Sequence, residues 1–334
     1  MRATIREVSE AAGVSIKTVS RVLNKERYVR EDTRKRVEDA VERLGYRPSA
    51  AARMLAGRRS FQIGLLCDNP GPQYIYETQA GARDRCQSGG YRMIYQPCDT
   101  GSEKMVAEVM ALIDETHVDG LILSPPVSDH ALLLAALDQR GIPYARIAPG
   151  DQQDRAPSVE IDDAAAAREM TQRLIALGHR RVAFVLGPAD HLASQRRAAG
   201  YRAALSDAGI ALDDALVVSG RFDFPSGRTA AEQLLDLGPA APTAIFAGND
   251  AMAAGVLAVA HERGISVPHD LSIVGFDDFE VAQMVWPPLT TVRQPIRELS
   301  AIAAGFLIDG AEPDMHLLLD YQLVERGTTA PPRG

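Results

Sequence analysis

At 334 residues the chain is too long for one typical core and fits two or three domains. Its 46% apolar and 24% charged residues are the balance of a globular protein and exclude a disordered one; with no run of about 18 apolar residues and no apolar h-region before a small-residue cleavage site, neither membrane spanning nor export is expected, and the cytoplasm is the expected location. The net charge of -8 is uneven: residues 1–59 carry 15 Lys+Arg against 8 Asp+Glu and the remainder 21 against 36, the pattern of a basic head that meets a polyanion and an acidic body that does not.

In chain order, Thr4 followed by Glu7 forms a possible capping box, and Ile5, Val8 and Ala11 or Ala12 give the helix it starts an apolar stripe. Gly13 ends that helix, Val14 enters the turn and Ser15 can cap the next. Over Ile16 to Leu23, Val19, Val22 and Leu23 fall inward, while Lys17, Thr18 and Arg21 can point elsewhere. Two short helices around a glycine turn, the second rich in donors, match a helix-turn-helix whose second helix enters the major groove; the alternative is a helical hairpin with a solvated polar face. A third helix over Thr33 to Leu44, with Val37, Ala40, Val41 and Leu44 inward, can close the small core, although Arg30 stands where Ser or Asp would cap most easily. In "GYRPSAAARMLAGRRS", Pro48 and Ser49 can start and Gly57 can end a helix too short to stand alone; the alternative is an Ala-rich linker.

From residue 60 short apolar runs ("FQIGLLC", "YRMIYQ", "DGLILS", "PYARIA", "RVAFVLG", "TAIFAG", "LSIVGF") alternate with helical segments such as Met105 to Thr116, Ala165 to Leu177 and Met252 to Arg263. Such alternation predicts parallel sheets covered on both faces, with ligand groups at strand ends. Four strands precede about residue 155 and at least three follow, so two lobes are expected, with "GDQQDRAPS" (150–158) at their boundary. No GxGxxG follows the first strand and no P-loop occurs, so no nucleotide cofactor is expected; Cys67, Cys86 and Cys98 lack metal-ligand spacing and read as buried small hydrophobes. Without a GxSxG elbow, an HExxH pair or a persuasive triad, catalysis is not expected, and His179 and His191 read as caps or surface residues. Arg197, Phe222, Asn249 and Asp277 lie at predicted strand ends, as ligand contacts or, alternatively, as caps, ion-pair members and core aromatics. In the first lobe, "DNPGPQYIYETQAGA" offers Asn69, Tyr74 and Gln79, with Asp151 a weaker candidate.

The blocks "IREVSEAAGVSIKTVSRVLN", "TRKRVEDAVERLGYRPSAAARMLAG", "FAGNDAMAAGVLAVAHERGISVPHDLSIVGFDD" and "PPLTTVRQP" resemble the LacI/GalR family of bacterial transcriptional repressors over essentially the entire chain. The resemblance implies an all-α helix-turn-helix head joined to an α/β two-lobed periplasmic-binding-protein-like body with parallel sheets. It places the DNA-binding domain at 1–47, a hinge helix and linker at 48–59, and an effector-binding and dimerisation domain at 60–334. The first lobe would span about 60–158 and 294–321 and the second about 161–291 and 325–334, with crossovers near 158–161, 291–294 and 321–325.

By the same resemblance, Ile16 and Lys17 govern operator choice and Arg21 contacts bases, while Thr18, Ser20, Asn24 and Tyr46 or nearby donors mainly position the duplex through phosphates; Thr4 and Ser15 are further candidate DNA contacts. Arg53 and Leu55 fall in the hinge helix, whose paired leucines wedge into the minor groove. Lys17 and Arg21 can donate to guanine O6 or N7, and Ile16 can touch a thymine methyl. Arg197 and Asp277 align with the family's effector-binding pair, Asn249 with a polar pocket residue and Phe222 with a stacking aromatic. Gly71, Pro72 and Gln73 intervene before Tyr74 and Tyr76, where many relatives have a compact aromatic pair. The expected partners are a second copy of the chain, double-stranded pseudopalindromic operator DNA, and a saccharide or glycoside that weakens operator binding. Dimerisation would use the helices near Gly81 to Ser88 and Ala251 to Arg263, and no C-terminal heptad supports a tetramer. A purine or other metabolite acting as corepressor, and a non-catalytic receptor, are the alternatives.

Overall fold

The computed structural model describes residues 3–23, 28–46, 59–150 and 152–333; Asn24, Arg53, Leu55 and Asp151 lie outside them. The chain divides into two compact units, one of Met1–Phe61 with Thr116–Asp119, the other of Gln62–Glu115 with Gly120–Gly334.

In the head, α1 (Ile5–Ala12), α2 (Ile16–Leu23) and α3 (Glu31–Leu44) enclose Val8, Val19, Val22 and Val37. The capping box forms: Thr4 Oγ1 accepts the Glu7 N–H at 3.3 Å, and the Glu7 carboxylate accepts the Thr4 N–H at 2.6 Å. Those donors hold the Glu7 carboxyl below its ordinary pKa. Gly13, at φ +63°, reverses the chain with no Cβ to strain. The third helix begins two residues earlier than predicted. Arg30 at its N-cap makes no side-chain bond, but Glu31 and Asp32 occupy the first turn, where carboxylates oppose the positive end of the helix dipole.

The body begins with β1 (Gln62–Cys67), α4 (Pro72–Ser88), β2 (Arg92–Pro97), α5 (Met105–Thr116), β3 (Gly120–Leu123), α6 (Ala131–Arg140), β4 (Tyr144–Ile147) and β5 (Ser158–Ile161). It continues through α7 (Asp163–Ala176), β6 (Val182–Leu186), α8 (Leu192–Asp207), β7 (Val217–Ser219), α9 (Phe224–Leu235), β8 (Ala244–Ala247), α10 (Asp250–Glu262) and β9 (Ser272–Val274). The chain closes with α11 (Glu280–Met284), β10 (Thr291–Arg293), α12 (Ile296–Asp309), β11 (His316–Leu319) and β12 (Gln322–Val324). Strands order β11-β5-β4-β3-β1-β2 in one parallel sheet and β7-β6-β8-β9 in a second, while β10 and β12 form an antiparallel pair. The last part of the chain thus returns to the edge of the first sheet. Every predicted strand is present; β5, β7, β10, β11 and β12 add to them, each only three or four residues long and too short to show a periodicity of their own.

Central strands such as β3 and β8 bury continuous apolar runs, as strands covered on two faces must. Phe184 packs 5.0 Å from both Tyr201 and Phe246 in the second lobe. Cys67 and Cys86 are buried and Cys98 partly so, without disulfides, and burial pushes their thiols up to about 11, 11 and 12. No described helix is long and apolar enough to cross a membrane.

Candidate functional site

On the head, Val19 and Val22 anchor α2, which leaves Ile16, Lys17 and Arg21 outward, Ile16 44% exposed. An exposed isoleucine beside two cations on a short helix suits a surface that meets base edges. Ser15 Oγ accepts the Thr18 N–H at 3.2 Å and lies 2.9 Å from Thr18 Oγ1, so these hydroxyls first cap the helix. Thr4 is exposed but its hydroxyl donates to Glu7, and Ser20 is half-buried. Tyr46 sits just past the end of α3 with its ring turned inward. Gly45, at φ +59°, terminates α3, the Tyr46 N–H returns to the Val41 carbonyl, and the ring packs into the head core at 7% exposure.

Within the body, Asn69, Tyr74, Arg197, Phe222, Asn249 and Asp277 converge on one cavity of about 50 Å³. Gln79, further along α4, does not line it. Arg197 on α8 is 5% exposed; Nε donates to Asp163 at 2.7 Å and one terminal nitrogen to the Gly248 carbonyl at 2.7 Å. The guanidinium lies 3.6 Å from the Phe276 ring centroid, and its charge faces Asp277 at 3.9 Å. Asn249 caps α10 through the Met252 N–H at 2.9 Å and donates Nδ2 to the Phe222 carbonyl at 3.0 Å.

That bond helps hold Phe222 at φ +61°, where a non-glycine residue is strained. Space for its ring depends on Gly187, since a Cβ there would stand 2.1 Å from the ring. Asp277, at φ +117°, donates its N–H to the Val292 carbonyl and accepts from Gln294 Nε2.

Electrostatically the cavity balances two carboxylates against one guanidinium. Burial pushes Asp277 up to about 7, against the pull of Arg197 and Gln294 and with Asp163 adding to the rise. Asp250, just behind, is raised well above the carboxylate range by burial and then by Asp277, despite bonds from Thr291 and Phe279. Burial raises the Tyr74 hydroxyl and lowers His191.

Sequence reading passed over Asp163, His191, Phe279 and Gln294, all of which line the cavity. Asp163 follows β5 and starts α7, so the strand-end rule finds it once β5 is recognised. His191 is 6% exposed and makes no cap bond; its ring meets Phe222 edge-on at 5.4 Å, correcting the expectation of a cap or surface residue. His179 is likewise buried, bonded to Thr243, Ser272 and the Ala330 carbonyl.

Family models match in two places: bacterial regulatory proteins, lacI family, over residues 4–49, and a periplasmic binding protein-like domain over residues 171–329. The HTH-type transcriptional regulator DegA of Bacillus subtilis (strain 168) is 34% identical over 338 residues, covering 99% of this chain and 99% of that protein. The chain belongs to the lacI family of bacterial regulatory proteins. Among solved structures it is similar to a transcriptional regulator CelR-cellobiose complex (TM-score 0.74, 32% identity, 98% of this chain and 100% of that one). It is also similar to the lac repressor dimer bound to operator and the anti-inducer ONPF (TM-score 0.81, 29% identity, 99% and 100%). This lacI-family member is therefore a DNA-binding repressor regulated by a small-molecule effector, not an enzyme. Its helix-turn-helix and two-lobed, periplasmic-binding-protein-like parts are those of the family.

Proposed function

We propose that the regulator senses a neutral saccharide or glycoside in the cavity, and that this effector weakens the hold of a homodimer on a pseudopalindromic operator in the cytoplasm. The observation that carries the reading is the pairing of Arg197 with Asp163 and Asp277 beside the Phe222 and Tyr74 rings. Carboxylate and guanidinium together bind hydroxyls from both sides as acceptor and donor, while aromatic faces cover the apolar face of a pyranose. Arg197 is the one Lys or Arg among the described lining residues, against two aspartates, so a phosphate or carboxylate on the ligand would meet net repulsion. The cellobiose complex of a similar regulator supports the same class.

Ile16, Lys17 and Arg21 would read base edges, with Thr4, Ser15, Thr18 and Ser20 as phosphate-side donors. Asn24 and the hinge positions Arg53 and Leu55 complete the proposed DNA contacts, and the domain boundaries are proposed as read from sequence. For the homodimer, α10 buries Met252, Ala253, Val256 and Leu257 in its own lobe, leaving its His261–Arg263 end and the outward side of α4, where Tyr76 is 58% exposed.

The test is a metabolite screen by thermal shift, then calorimetry and operator titration, with Asp277→Ala and Arg197→Ala as controls. A neutral saccharide should bind wild type, lose affinity in both variants and lower specific operator affinity. A ligand that binds both DNA-affinity states equally cannot switch the repressor. A purine that tightens operator binding and needs the same two residues would overturn the saccharide reading.

A further inference from the structure

Arg196 stands one residue before Arg197 on α8 but does not line the cavity. Its guanidinium donates to the Glu160 carboxylate on β5 and, at 2.9 Å each, to the carbonyls of Pro149 and Gly150 just past β4. Strands β4 and β5 belong to the six-stranded sheet, whereas α8 packs with the four-stranded one, so each of these bonds crosses between the lobes.

The receiving side is held stiffly. Fully buried Arg146 donates at 2.7 Å to the Ser128 and Gln152 carbonyls and to Asp129, and Asp129 accepts the Gly150 N–H at 2.9 Å. Glu160, 5% exposed, also accepts from Gln153 Nε2 at 2.9 Å and lies 3.4 Å from His316 Nε2. Beside the polar bonds the lobes touch through Leu192 and Gly150, so closely that a Cβ on Gly150 would come within 1.7 Å of Leu192 Cδ1.

We propose that Arg196, with Glu160 and the carbonyls of Pro149 and Gly150, is a latch between the lobes that sets how far the cleft stands open before any effector binds. A planar guanidinium holding one carboxylate and two carbonyls makes charge-assisted bonds whose geometry exists only when the lobes approach. Effector affinity scales with the fraction of molecules already in the binding geometry, so the latch tunes sensitivity without touching the ligand. Its link to sensing rests on the cavity being the effector site; the latch itself can be tested without a ligand.

In the effector-free full chain, Arg196→Met should raise the radius of gyration in small-angle X-ray scattering while circular dichroism stays unchanged. Hydrogen exchange should quicken at residues 148–150 and 192–197 and stay unaltered in β6 and β8, which general destabilisation would not spare. Gly150→Ala should also open the cleft, by pushing Leu192 away and so pulling Arg196 from its acceptors. The double variant should open no further than either single one. With cellobiose as probe, Arg196→Met should bind about tenfold more weakly. Scattering and exchange identical to wild type in Arg196→Met would overturn the latch, as would additive opening in the double variant. Cellobiose failing to bind wild type would count against the saccharide reading alone, because the effector-free measurements decide the latch.

Discussion

The head and the body put the side chains proposed to meet DNA and effector in opposite environments. On α2 the outward residues Ile16, Lys17 and Arg21 are exposed, while the residues that hold the helix, Val19 and Val22, are different ones and buried. Around the cavity the two roles fall on the same residues: Arg197, Asn249 and Asp277 are each no more than 7% exposed, line the cavity and hold its walls together. If these are the residues that meet operator and effector, as proposed, recognition of DNA can change with little effect on stability, whereas a change of effector specificity disturbs the fold as well.

The sharpest way to break this contrast is Arg197→Ala, which strands Asp163 without its buried partner. Loss of one member of such a pair costs about 3–5 kcal/mol, so urea unfolding should show a large fall in midpoint together with loss of effector binding. A variant as stable as wild type would show that the cavity, like the head, separates recognition from support. Lys17→Ala is the counterpart. It should leave the unfolding midpoint in place and weaken specific operator binding by roughly 1–3 kcal/mol if the side chain makes a bidentate base contact. Titration against operator and random duplex at one salt concentration checks it, since equal losses on both would mean phosphate contact instead.

A smaller effect is expected from pH. The folded Asp277 carboxyl titrates near 7, above its ordinary value of 3.8, so between those limits the folded state binds more protons than the unfolded. Its contribution to stability is fullest at the acid end of that window and is lost as pH rises to about 7. His179 and His191, lowered by burial, act in the other direction and cost stability as pH falls below their ordinary 6.5. Asp277→Asn should therefore be more stable than wild type at pH 8, the gap narrowing towards pH 5, in thermal melts across that range. The smallest change concerns the uncapped start of α3. Arg30→Ser should supply the missing acceptor and stabilise the head by about 0.5–1 kcal/mol, read from slower hydrogen exchange in α3 and not in the body.

How far each region could be read from sequence follows the same division. The head's devices are local: Thr4 to Glu7 spans three residues, and Gly13 and Gly45 act within one turn. The burial of the Tyr46 ring depends on helices distant in the chain meeting around it, which no local pattern shows. In the body, long apolar runs revealed the central strands, but β5 is four residues long and was taken only as a crossover, which hid Asp163 at the start of α7. Nothing near His191 or Gln294 in the sequence points to the cavity, because each meets it through a neighbour distant in the chain: His191 meets Phe222 edge-on, and Gln294 bonds Asp277.

By itself the sequence determined the three-helix head, the exposure of α2, the alternation of strands and helices, and the family, all from patterns spanning a few residues to one helix. Only the tertiary structure decided which carboxylate holds Arg197, that His191 and Gln294 line the cavity, and that Arg196 reaches across to Glu160. The physical reason is range: caps, turns and amphipathic stripes are satisfied within a turn or two of chain, whereas a buried charge needs a partner that only the packing of distant segments can bring within hydrogen-bonding distance.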